Sequence, residues 1–184
     1  MLKGVSHTRS DYAKQDVFEH ILSALMPENR LALLVSLTTG LRIDDVLHLK
    51  TSDILKGRFS IKEMKTGKVR KVRLGKKLQD DLIAISGRYY AFEHRLDPKK
   101  TRTRQAVNKD LKRACELFRV KGVNITPHTA RKIFAVGEYE RTCDFKKVQE
   151  LLNHSFESVT VLYAMAEAIT EKETKHKKVS VPKL

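Results

Sequence analysis

The sequence predicts an α+β protein, mainly helical, with one small antiparallel β-sheet. Three observations predict it. Apolar residues recur at helical spacing through most of the 184-residue chain. One pair of segments, 58–64 and 69–74, alternates instead. Helix punctuation, such as a capping threonine before proline or a glycine after an apolar run, falls at the segment ends. A chain of this length makes one domain with a sizeable core.

Ser10 or Asp11 can cap a first helix, in which Ala13, Val17, Phe18, Ile21, Leu22 and Leu25 recur at helical spacing before Pro27. A second helix over 29–39 is apolar around most of its girth, which predicts the central buried helix. Gly40 is its natural C-terminal stop. Arg42 then falls in a tight turn between two helices, where backbone geometry aims its side chain. Asp44 and Asp45 suit the positive end of the next helix, and either can hold Arg42.

Segments 58–64 and 69–74 place Phe59 with Ile61, and Val72 with Leu74, on one face of a hairpin. Its turn is Lys65, Thr66, Gly67 and Lys68. Leu78, Leu82 and Ile85 mark a short helix ended by Gly87, and 88–100 reads as irregular. Helical spacing returns over 105–119 through Val107, Leu111, Ala114, Leu117 and Phe118. The other face of that helix carries Lys109, Lys112 and Arg113, either phosphate contacts or a solvated face.

Thr126 and Pro127 form a good helix start, with threonine as N-cap and proline at the first position. His128 and Arg131 then share a face at i, i+3 beside free amides and the positive dipole end, a place disposed to hold an anion. Asp144 can cap a helix through Val148, Leu151 and Leu152. Val159, Leu162, Tyr163, Ala166 and Ile169 form the apolar stripe of a last helix, and a charged tail follows from Glu171.

Thirty-seven Lys and Arg against 22 Asp and Glu leave a net charge of +15, which points to a polyanionic partner, most simply a nucleic acid backbone. The longest apolar run, 31–37, is interrupted by Ser36 and is far short of a bilayer span. The N-terminal residues lack the apolar stretch of a signal peptide. Cys115 and Cys143 stand apart from any ligand-spaced cluster, so a reduced cytoplasmic protein without structural zinc is expected, with both cysteines as packing residues.

Arg42, His128, Arg131, His154 and Tyr163 occur in an order that suits work on a phosphodiester. Guanidiniums grip phosphate through bidentate donors, imidazoles move protons near neutral pH, and a phenol can act as nucleophile. The text Thr39 Gly40 Leu41 Arg42, the hairpin Lys65 Thr66 Gly67 Lys68, the box Pro127 His128 Thr129 Ala130 Arg131, the run Leu152 Asn153 His154 Ser155, and Tyr163 nine residues after His154 resemble the catalytic domain of the tyrosine recombinases, the phage integrase family. Nearly the whole chain takes part. Taken singly each residue has a duller reading: Tyr163 a core tyrosine, Arg42 a surface ion pair, His128 a lone turn residue.

The resemblance implies an integrase catalytic core that cuts and rejoins DNA through a 3′-phosphotyrosine at Tyr163, with neither metal nor ATP and no cofactor. Arg42 and Arg131 would clamp the scissile phosphate and His128 act as acid or base. His154 would donate to a phosphate oxygen and Lys65 protonate the leaving oxygen, with Lys68 its competitor. Lys68, Arg70, Lys109, Lys112, Arg113 and Lys132 are candidate DNA contacts. Three departures stand out: Lys132 stands where a second histidine is frequent, Asp45 replaces a usual glutamate and shortens the arm that positions the first arginine, and Asn153, a mild change, stands where the family writes glycine.

Residues 1–170 are expected to form this domain, with 171–184 either a tail exchanged between protomers or a disordered basic segment. The family's upstream helical domain has no counterpart ahead of the first helix, so the chain reads as a minimal recombinase or a fragment of a longer integrase. The implied partners are double-stranded DNA and, on DNA, three further copies in a homotetramer, with a monomer in solution. Two other readings stay open: a DNA-binding accessory or regulatory relative with weak or silent chemistry, and a type IB topoisomerase-like relaxing enzyme.

Overall fold

The structure is a computed structural model that describes residues 10–152. The chain divides into two units, 1–134 and 135–184. In the first lie α1 (Gln15–Leu22), α2 (Pro27–Thr39), α3 (Ile43–Leu47), α4 (Thr51–Lys56), β1 (Arg58–Lys62), β2 (Val69–Arg73), α5 (Lys76–Ile85), β3 (Glu93–His94), β4 (Asp97–Thr101), α6 (Arg104–Leu117) and the start of α7 (Pro127–Thr142). The second unit holds the rest of α7 and α8 (Phe145–Leu151), whose N-cap Asp144 accepts from the Lys147 amide at 3.1 Å as its sequence predicts. The mainly helical α+β class expected from the sequence is the one observed.

Helix α2 is the central element. Leu31, Ala32, Leu33, Val35, Ser36 and Leu37 are all buried, so little of its girth meets solvent. It packs on α3 and α5, while α1 packs on α6. The one buried hydroxyl in that run, Ser36, donates to the Leu41 carbonyl at 2.7 Å and so helps fold the chain back past the helix end. Gly40 closes α2 in the left-handed region at φ 67°, and a Cβ there would also run into the Phe134 ring.

Polar pairing fixes the other end of α2. Asp110 on α6 accepts from the Asn29 side chain at 2.8 Å and the Met26 amide at 2.8 Å, and Arg113 forks onto its second oxygen at 3.0 and 2.8 Å. Burial pushes the Asp110 carboxyl up, but the donors of Asn29, Arg113 and Met26 outweigh it and hold the carboxyl below the ordinary aspartate range.

Helix α1 begins at Gln15 rather than at a cap on Ser10 or Asp11. Those residues are engaged far along the chain. The Asp11 carboxylate accepts from the Asn124 amide at 2.7 Å, and the Ser10 hydroxyl lies 3.1 Å from that of Thr129. A distant partner has outcompeted local capping. Helix α5 likewise stops at Ile85, before Gly87.

Strands β1 and β2 pair antiparallel with Phe59 opposite Val72 and Ile61 opposite Arg70. Residues of one parity, Phe59, Ile61 and Glu63 with Arg70, Val72 and Leu74, turn inward. Arg58, Ser60, Lys62, Val69, Lys71 and Arg73 face water, as the two-residue period requires. The stretch 88–100, irregular in sequence terms, contains a second hairpin, β3 with β4. Its strands are short and polar and one contains Pro98, so no alternation marks them; the buried Phe92 and backbone bonds such as Ala91 N to Leu49 O, 2.9 Å, hold it in place. Cys115 is half-buried against the core, and burial pushes its thiol up. Cys143 is exposed at φ 51°, which corrects the packing role expected for it.

Candidate functional site

The site grows out of the turn that ends α2. After Gly40 the backbone becomes extended at Arg42, which stands at the N-cap of α3 and is 5% exposed. Its Nη1 donates to Glu63 Oε2 at 2.8 Å. Thr66 Oγ1 donates to the same oxygen at 2.9 Å, and Arg70 Nη1 lies 3.6 Å from Oε1. Glu63 is 1% exposed, so this carboxylate serves two guanidiniums away from water.

The sequence offered Asp44 or Asp45 as the residue that holds Arg42; its 2.8 Å hydrogen bond goes to Glu63, while Asp45 lies close enough to feel its charge. Asp44 is half-exposed and sits 3.5 Å from Arg104. Asp45 accepts from the Met64 amide at 2.8 Å and so ties α3 to the hairpin. Glu63 takes the direct role. It shares strand parity with Phe59 and Ile61, and that was the signal that could have found it.

Two further guanidiniums converge on the same turn. Arg70 donates to the carbonyls of Thr39 and Gly40, and Arg131, 3% exposed on the first turns of α7, donates to the Gly40 carbonyl. Cations are stabilised there by the negative end of the α2 dipole and its unsatisfied carbonyls. Arg42 and Arg131 are thereby brought together through Gly40, although 89 positions separate them in the sequence.

Three arginines face two carboxylates here, an arrangement with spare positive charge. Burial pushes the Asp45 carboxyl above the ordinary aspartate range; the Met64 amide opposes this, Glu63 adds to it, and Arg42 and Arg131 oppose it. Its second oxygen, Oδ2, is buried without a hydrogen-bond partner among the described residues. Burial also lowers Arg70, with Glu63 pulling it back.

Thr126 caps α7 as expected: its Oγ1 accepts from the His128 amide at 3.2 Å, and its own amide donates to Thr129 Oγ1 at 3.2 Å. His128 is half-buried on this first turn, three residues before Arg131. Lys65 and Lys68 are both exposed on the hairpin turn, which Gly67 N closes onto Glu63 O at 2.8 Å. His154 and Tyr163 lie outside the described residues, as do the segments expected to form the last helix and the tail.

The candidate DNA contacts divide. Lys68, Lys109 and Lys112 are exposed. Arg70 turns inward to Glu63, Arg113 holds Asp110 and the Ala24 carbonyl, and Lys132, 9% exposed, donates to the Ser10 carbonyl. The sequence reading passed over the outer face of the first hairpin. Arg58, Lys62, Lys71 and Arg73 stand there exposed, with Arg58 directly opposite Arg73, and none has an ion pair among the described residues. Like charges opposite one another weaken a sheet unless an anion meets them.

The mainly helical fold is shared by solved integrase and recombinase structures. The model of the phage integrase family matches residues 12–168, and the chain belongs to that family. It is 32% identical over 153 residues to the tyrosine recombinase XerA of Pyrococcus furiosus, covering 79% of this chain and 52% of that protein. It is 30% identical over 136 residues to the probable integrase/recombinase YoeC of Bacillus subtilis, covering 69% of this chain and 71% of the relative. The chain thus spans about half the length of XerA. Among solved structures, a lambda integrase tetramer bound to a Holliday junction superposes with a TM-score of 0.67 at 22% identity, over 85% of this chain and 49% of that one.

Proposed function

We propose that the chain is the catalytic domain of a site-specific DNA recombinase that works through a 3′-phosphotyrosine at Tyr163. The single observation that carries this reading is the convergence of the buried Arg42 and Arg131 on the Gly40 turn in a member of the phage integrase family. Two fixed guanidiniums can stabilise charge on the non-bridging oxygens of a scissile phosphate, the task a metal ion performs elsewhere. Tyr163 attacks phosphorus in line, and Lys65 protonates the departing 5′ oxygen. His128 exchanges a proton with the tyrosine and phosphate, and His154 donates a hydrogen bond. The phosphotyrosine conserves the bond energy, so a new 5′ hydroxyl can be joined without ATP.

The partner in this reading is duplex DNA, supported by the net charge of +15 and by the exposed cations of the first hairpin and α6. The protein acts as a homotetramer on DNA and a monomer in solution, in the cytoplasm, with residues 1–170 as the catalytic domain and 171–184 exchanged between protomers. The test is trapping on a nicked suicide duplex, read on a denaturing gel. Wild type should form a covalent adduct that Tyr163→Phe abolishes. Salt-sensitive binding with no adduct on any duplex would instead support an accessory DNA-binding role, and plasmid relaxation without recombinants a topoisomerase-like one.

A further inference from the structure

We propose that Glu63 is a positioning residue that sets two catalytic side chains from one carboxylate: Arg42 directly, and Lys65 through Thr66 and the hairpin turn. This rests on the recombinase reading and adds to it a part for a residue outside the catalytic set. The Oε2 atom of Glu63 accepts from Arg42 at 2.8 Å and from Thr66 at 2.9 Å, so the arginine and the residue next to Lys65 are referred to the same point. The main chain of Glu63 closes the turn as well. Its N–H donates to the Lys68 carbonyl at 2.9 Å and its carbonyl accepts from Gly67 at 2.8 Å. A second tie runs alongside, from the Met64 amide to Asp45 on α3 at 2.8 Å.

A carboxylate 1% exposed cannot trade these partners for water, which makes it a rigid link between two elements that carry different parts of the chemistry. Lys65 itself stands exposed on that turn, so the place of its backbone follows from the contacts that Glu63 makes with the turn. A displacement of about 1 Å in such a group is enough to cost a large factor in rate.

The two parts separate chemically. In cleavage, the Tyr163 hydroxyl gives its proton to His128 as its oxygen bonds to phosphorus, the bond from phosphorus to the 5′ oxygen breaks, and that oxygen leaves with the electron pair and takes a proton from the Lys65 ammonium. If sulfur replaces the 5′ oxygen, the bond from phosphorus to sulfur breaks and a thiolate leaves with the pair. A thiol is a far stronger acid than an alcohol, so the thiolate leaves without a proton donor. Misplacement of Lys65 is therefore silent on the sulfur substrate, whereas misplacement of Arg42 is not.

The experiment compares adduct formation on an ordinary duplex and on one with a 5′-bridging phosphorothiolate, using wild type, Lys65→Ala, Thr66→Val and Glu63→Gln. Thr66→Val conserves shape and removes only the hydroxyl tie. It should slow the ordinary substrate about tenfold, a fraction of what general acid catalysis supplies, and leave the sulfur substrate within about twofold of wild type. Glu63→Gln should be slowed on both. Equal slowing of both substrates by Thr66→Val, or no slowing of either, overturns the proposal, as does a Lys65→Ala defect that sulfur does not relieve. A wild type that forms no adduct on either duplex overturns this proposal together with the recombinase reading.

Discussion

Replacing Glu63 by alanine removes a carboxylate that is 1% exposed and shared by Arg42, Arg70 and Thr66. Taking away one partner of a buried ion pair costs about 3–5 kcal/mol, because the remaining charge stays in a poorly solvated place. Two features bring the expected loss to the lower part of that range. Arg70 keeps the carbonyls of Thr39 and Gly40, and Asp45 remains nearby as a second acid. We therefore expect Glu63→Ala to lose about 3 kcal/mol, and Glu63→Gln, which retains an acceptor oxygen, about half of that. The assay is urea denaturation followed by circular dichroism. With a slope of about 2 kcal/mol per molar, the alanine midpoint should fall by about 1.5 M. A fall of less than about 0.5 M would refute the reasoning, since it would mean that the two guanidiniums do not depend on this carboxylate.

Three further outcomes are expected. Gly40→Ala should lose about 2–4 kcal/mol, combining the left-handed backbone with the collision on Phe134; a loss under about 1 kcal/mol by the same denaturation would show that the ring gives way. Asp45 has a raised folded value, so the folded chain holds the extra proton, and stability falls as pH rises from the ordinary value of 3.8 toward the raised one. Asp45→Asn keeps an acceptor for Met64, so its midpoint relative to wild type should improve between about pH 4 and pH 7; a difference that stays constant with pH would sink the argument. Arg58→Ser with Lys71→Ser should flatten the plot of log affinity for duplex DNA against log salt by about 0.9 per cation removed, and an unchanged slope would exclude the outer hairpin face from the DNA interface.

Much of the fold was legible because it is set by near neighbours. The all-round apolar character of α2 marked the central helix, and Gly40, Thr126 and Asp144 marked helix ends, since capping depends on residues two to four positions away. Alternation through Phe59 and Ile61 revealed the first hairpin. The second hairpin escaped because its strands are short and polar, and their register is held by backbone bonds that carry no side-chain pattern.

By itself the sequence determined the order of the chemical groups, the turn that holds Arg42, the helix start that holds His128 and Arg131, and the hairpin turn that holds Lys65. Only the tertiary structure decided which charges meet. Arg42 hydrogen-bonds Glu63, 21 residues on, Arg70 turns in to the same acid, and Asn29 finds Asp110 81 residues away. The physical reason is that a period of two or 3.6 residues follows from the backbone of one element, whereas the partner of a buried charge follows from how separate elements pack and which oxygen they leave dry at the crossing.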